Sequence, residues 1–270
     1  MNIEKYIKDI ADSYLYTNEP FSFHILYIKN EKRASEICTY FKQQAGIDLD
    51  SLASENTTTW EKTKKLAAFV AENIPHNNQL TDPEEINAIS LWEYSRQVPS
   101  GFNCRLHAIM LFELLESIGI RNIYITCLPK DHDDTDCHVV NHVWLPETQK
   151  WAMIDSDLAE YMTDSSGTPL SLPEIRKELF EGNNIYPCIL PVYIMDGKAE
   201  KDYIDYLKLY WAKNLYWFAV QAEYGFHMEN EQNHNIQHIC LIPPGYNCKH
   251  VYKDAITTSN SFAFWDLLFE

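Results

Sequence analysis

Three residues of this chain, Cys104, His142 and Asp155, are of the types and in the order that support thiol chemistry. Cys104 follows the turn Pro99-Ser100-Gly101 and opens a run that is apolar on nearly every side, from Leu106 through Phe112 to Ile118. Unpaired amides and the dipole at a helix start favour an ionised sulfur, the form that attacks carbonyl carbon. Along Cys137–Leu145, strand alternation puts His138, Val140, His142 and Trp144 on one face; along Trp151–Asp155 it groups Trp151, Met153 and Asp155. With Glu147-Thr148-Gln149-Lys150 as a four-residue hairpin loop, Pro146 pairs with Trp151, Trp144 with Met153 and His142 with Asp155. Opposed residues have Cβ atoms about 4.5–5.5 Å apart. At that range a carboxylate fixes one imidazole nitrogen and leaves the other to take the thiol proton. A one-residue slip would put the two on opposite faces.

The elements that position these residues follow from periodicity and punctuation. The first fifty residues read as a helix, a strand over Phe21–Lys29 and a helix over Glu31–Gln44. A helix runs from Trp60 to Asn73 and stops at Pro75; Asp82-Pro83 opens another over Glu84–Tyr94. The helix from Cys104 to Ile118 is capped by Gly119 and is apolar enough to lie in the middle of the protein. Strands are expected at Asn122–Leu128, His138–Leu145 and Trp151–Asp155, helices at Leu172–Glu181 and Tyr203–Tyr224, and a returning strand at Cys240–Ile242. The class is α+β, helices first and then an antiparallel sheet.

These residues resemble the transglutaminase-like superfamily, a group with a papain-like cysteine enzyme core. Gly101-Phe102-Asn103-Cys104-Arg105, Ala108, Leu111-Phe112-Glu113-Leu114-Leu115 and Gly119-Ile120 look like its nucleophile helix. His142-Val143-Trp144 resembles its His-x-Trp strand, and Trp151 with Ile154-Asp155 its following strand. Asp155-Ser156-Asp157 departs from the usual Asp-Pro-Thr, so Asp157 competes with Asp155 as the orienting residue, with Asp155 preferred. The resemblance spans roughly residues 58–160. It implies a nucleophile helix packed on an antiparallel sheet, with extra N- and C-terminal helices. It also implies thiol attack on an amide or ester through an acyl-enzyme, the oxyanion held partly by the Cys104 amide. Gln97 and His76 are candidates for a second oxyanion donor; Asn103, Arg105, His138 and Trp144 are candidate pocket residues. The organisation expected is an N-terminal α/β elaboration over 1–57, a core over 58–165 and a C-terminal elaboration over 166–270, all in one compact domain. The function expected is a thiol-dependent amide or peptide hydrolase or acyltransferase; the alternative is a catalytically silent protein- or glycan-binding module.

Composition narrows the partners. With a net charge of −17 and no cluster of Lys and Arg, the chain lacks what nucleic-acid binding requires. No stretch of about 18 apolar residues spans a membrane, and the N-terminus lacks a signal-peptide core, which favours the cytoplasm. The seven Cys show no disulfide framework and no CxxC, consistent with free thiols. No cofactor or metal is called for. His138 and His142, about 13 Å apart along a strand, cannot share one ion, and His234, His238, Cys240, Cys248 and His250 fit no zinc spacing. The run Tyr203, Tyr206, Tyr210, Trp211, Tyr216, Trp217, Phe218 reads as core packing rather than as a sugar- or peptide-binding stripe. Protein, peptide or peptide-like amides are the expected substrates.

Overall fold

The structure, a computed structural model, describes residues 3–12, 17–78, 83–97, 101–190, 200–226, 236–247 and 252–266. In chain order the elements are α1 (Ile3–Asp12), β1 (Leu26–Ile28), α2 (Glu31–Tyr40), α3 (Leu49–Ser54), α4 (Thr59–Asn73), α5 (Ala88–Gln97) and α6 (Cys104–Ser117). Then come β2 (Asn122–Leu128), β3 (His138–Leu145), β4 (Lys150–Ile154), β5 (Glu160–Thr163), α7 (Leu172–Glu181) and β6 (Tyr186–Ile189). The last are α8 (Glu200–Asn214), β7 (Trp217–Gln221), β8 (Glu223–Gly225), β9 (His238–Leu241), β10 (Ile256–Thr258) and α9 (Ser261–Asp266). The α+β class holds: a six-stranded sheet of order β10-β9-β7-β2-β3-β4 carries α6 on one face. The sheet is antiparallel except for β10, which runs parallel to β9.

Helix α6 is buried along its length because its apolar residues leave no face for water: Leu106, Met110, Leu111, Leu114 and Leu115 are fully covered. Its polar residues are tied in. Asn141 of β3 donates to the Ala108 carbonyl at 2.9 Å, and Asn122 of β2 donates to the Phe112 carbonyl. Both strands are thereby pinned to the helix that begins with Cys104. Glu113, also buried, accepts the Ala88 amide at 2.8 Å and so helps set the start of α5.

Four elements differ from expectation. The helix expected over 84–94 begins only at Ala88, because Asn87 accepts the Ser90 amide as a cap; Asp82 lies outside the described residues. The helix expected over 203–224 ends at Asn214. Trp217–Gln221 instead enters the sheet between β2 and β9, buried at every position. A run buried on both faces carries no alternation to distinguish strand from helix. The strand expected over 21–29 is confined to Leu26–Ile28, and α2 ends in a π turn over Phe41–Ala45.

Candidate active site

The hairpin that was expected to join His142 to Asp155 has its loop one residue earlier, over 146–149, with Gln149 in a left-handed conformation at φ 53°. Leu145 therefore pairs with Lys150, Trp144 with Trp151 and His142 with Met153. Every partner has moved by two residues, one pleat, so the face is kept but the pairing is not. His142 is not across from Asp155, which corrects its expected role. It sits 1 % exposed, its ring stacked on Trp151 at 5.6 Å and 17°, and its Nε2 accepts the Leu172 amide at 3.1 Å. Burial first, and the Lys150 charge second, push its pKa down to about 3. It is a neutral packing residue.

His138, four residues earlier on β3, takes the place expected of His142. Its Nε2 lies 2.5 Å from Asp155 Oδ2, with both side chains buried. The other oxygen of Asp155 accepts the amides of Asp157 at 2.8 Å and Leu158 at 3.1 Å, so the carboxylate is fixed before it meets the imidazole. Cys104 lies close enough to His138 to help raise its pKa, and the thiol itself points to the Cys137 carbonyl at 4.0 Å. Burial works against charge on His138, but attraction and hydrogen bonding to Asp155 and contact with Cys104 outweigh it and hold its pKa well above the usual value. The edges of Tyr210 and Trp211 close on the ring at 5.2 and 5.5 Å. Trp211 is itself held by a 2.6 Å bond from Nε1 to Glu160, a fully buried carboxyl whose pKa burial and the nearby Asp155 charge push up.

Cys104 is placed by local geometry on both sides. Asn103 caps α6 by accepting the Leu106 amide at 3.1 Å. Two residues before it, Gly101 adopts φ +88° and presses on Pro75; a Cβ there would fall 1.9 Å from the Pro75 oxygen. This close approach lets residues 75–77 pair with the segment entering α6, through bonds from Phe102 N to Pro75 O and from Asn77 N to Phe102 O. His76 is thereby brought beside the site. Its Nδ1 contacts both oxygens of buried Asp157 at 2.8 Å, and this bond, against the cost of burial, raises its pKa. His107, from the second turn of α6, lies 3.6 Å from the same carboxylate and meets the Ser156 carbonyl at 3.1 Å.

The other expected pocket residues divide. Arg105 lines a cavity of about 220 Å³ with Tyr124, Thr126 and Val139. Trp144 packs on Trp151 at the hairpin end of β3, six residues or about 20 Å from His138, and is no part of this site. Gln97 ends α5 exposed to solvent. His138, Asp155 and Asp157 offer atoms within 4.8 Å of one another, but the direct His138–Asp155 bond occupies the space an ion would take. Of the second histidine cluster, His234, Cys248 and His250 lie outside the described residues. Sequence reasoning missed His138 as the partner of Asp155, and it missed Tyr210, Trp211, Glu160 and His107. Trp211 and Tyr210 were visible as an aromatic run, but no pattern linked them to β3.

Residues 30–156 match the family model described as Transglutaminase-like superfamily. The match starts upstream of the resemblance noted above and takes in α2 and α3. A comparison with curated proteins gives no match. Among solved structures, one described as "a Putative Cysteine Protease from Cytophaga hutchinsonii" is similar at 12 % identity and a TM-score of 0.32. The similarity covers 57 % of this chain and 48 % of that one, so this chain spans about half of its length. Among the described residues no helix is long and apolar enough to cross a membrane. From residue 30 to residue 156, somewhat under half of its length, the chain is similar to the transglutaminase-like superfamily.

Proposed function

We propose that Cys104, His138 and Asp155 act together as a thiol acyl-transfer site on amide or peptide bonds. The observation that supports this most is His138, bonded through Nε2 to a carboxylate already fixed by two backbone amides, with Cys104 close enough to help raise its pKa. His138 takes the thiol proton, and the sulfur bonds to the carbonyl carbon of the substrate. The C–N bond then breaks, and the amine leaves with the proton that His138 returns. Water or a second amine attacks the thioester in the reverse sense, which yields hydrolysis or transfer. The amide of Cys104 lies at the unpaired start of α6 and faces the developing oxyanion. His76 donates from Nδ1 to Asp157, a bond that raises its pKa and favours the imidazolium, and in that form it offers Nε2–H as the second donor.

Alkylation by iodoacetamide tests the site without a known substrate. Cys104 is expected to react at pH 6 well above the rate of free cysteine, and a mass-spectrometric screen of peptides and isopeptides is expected to trap an acyl group on it. If Cys104 reacts no faster than free cysteine, the chain is the silent binding module instead.

A further inference from the structure

One face of α8 carries tyrosines at 203, 206 and 210, a spacing that stacks them along the helix. The rings are near-parallel: Tyr203 to Tyr206 at 6.2 Å and 25°, Tyr206 to Tyr210 at 5.8 Å and 27°. The series ends edge-on at His138, 5.2 Å from Tyr210. Core packing accounts for Tyr203, which sits against the core and donates to the Leu158 carbonyl at 3.4 Å, but not for Tyr206. Helix α8 is anchored by Leu207 and Trp211, both fully buried, whereas Tyr206 is 47 % exposed. A continuous aromatic surface therefore runs from solvent to the imidazole beside Cys104.

The charge around this surface is negative. Tyr210 donates to Asp136 at 3.3 Å. Among the described residues Asp136 and Asp134 share the Lys213 ammonium, at 2.6 and 3.0 Å, which itself lies 5.5 Å from the Tyr210 ring centroid; two carboxylates against one ammonium leave one negative charge in excess. Asp202 lies one turn from Tyr206 on the same side, while Lys201 and Lys208 fall on the far side of the helix at about 100° per residue. Stacked tyrosine faces next to unbalanced carboxylates are the surroundings that bind a desolvated cation.

We infer that the tyrosine face of α8, with Asp136 at its inner end, binds the cationic side chain of an extended peptide, a Lys or Arg near the bond that Cys104 attacks. The inference rests on the Cys104 site proposed above and names its specificity. It is tested on the full chain with three methanethiosulfonate reagents: neutral methyl, cationic trimethylammonioethyl and anionic sulfonatoethyl. Modification of the Cys104 peptide is followed by mass spectrometry, and each rate is divided by that of free cysteine. The cationic-to-neutral ratio is expected to be about fivefold or more, with the anionic reagent disfavoured. Tyr206→Leu should bring the ratio close to one, and Tyr206→Phe, which keeps the ring, should restore it. A wild-type ratio near one overturns the inference, and so does a cation preference that Tyr206→Leu leaves intact, since that reflects only overall charge. A Cys104 that even the neutral reagent fails to modify contradicts the thiol site itself, a result separate from a lost preference.

Discussion

His138 and His142 stand four residues apart on one strand and one face, yet they are opposite chemical objects. His138 meets a fixed carboxylate and a thiol, and its positive form is stabilised. His142 meets a tryptophan face and a backbone amide that needs an acceptor, and only its neutral form is tolerated. Both are buried, so burial alone does not decide the state of a histidine. The partner decides it: Asp155 for His138, and the Leu172 amide and the Trp151 face for His142.

The largest effects should come from exchanging these partners. His138→Ala is expected to reduce Cys104 alkylation at pH 6 by about a hundredfold or more, whereas His142→Gln keeps it within a few-fold; equal losses in both would erase the distinction. Asp155→Asn removes the charge that supports the His138 imidazolium and should lower the same rate by about tenfold. Its sharper readout is the alkylation pH profile, whose His138-dependent limb should move to lower pH.

A smaller effect separates the two residues through stability. The folded pKa of His142, about 3, lies below the unfolded value of 6.5, so the unfolded chain binds the proton first as pH falls. The stabilisation from keeping it neutral is complete above pH 6.5 and is lost towards pH 3, by up to about 1.4 kcal/mol per pH unit. Urea unfolding at pH 8 and pH 5 should show wild type losing more stability than His142→Gln on acidification. Parallel losses would mean that His142 is not the buried neutral group described.

Much of this arrangement was legible in the residues. Cys104 at a helix start, the buried helix behind it, and strands β2 and β3 follow from apolar pattern and capping types, because those signals are local. What was not legible is the loop. Moving it from 147–150 to 146–149 requires Gln149 to adopt a left-handed φ that no Gly or Asn announces. That single choice slides the pairing by one pleat and takes Asp155 out of line with His142, level with Val140; the turn that follows β4 then holds its carboxylate against His138. The function of Tyr206 and Tyr210 was hidden for a related reason: their spacing is that of any packed helix, and only the tertiary meeting of α8 with β3 shows where the face leads. The smallest predicted effect concerns that loop. Gln149→Gly should relieve the left-handed strain and raise stability by up to about 1 kcal/mol in thermal or urea unfolding. The loss of the Gln149 bond to the Pro146 carbonyl offsets part of the gain.

The account turns on which histidine carries the charge beside Cys104, and nitrogen NMR of the two imidazoles across a pH titration measures this directly. His138 should be an imidazolium at neutral pH, with a pKa that falls when Cys104 is replaced by alanine, and His142 should remain neutral, protonated on Nδ1, throughout. A charged His142, or a His138 whose titration is unmoved by Cys104→Ala, would contradict it.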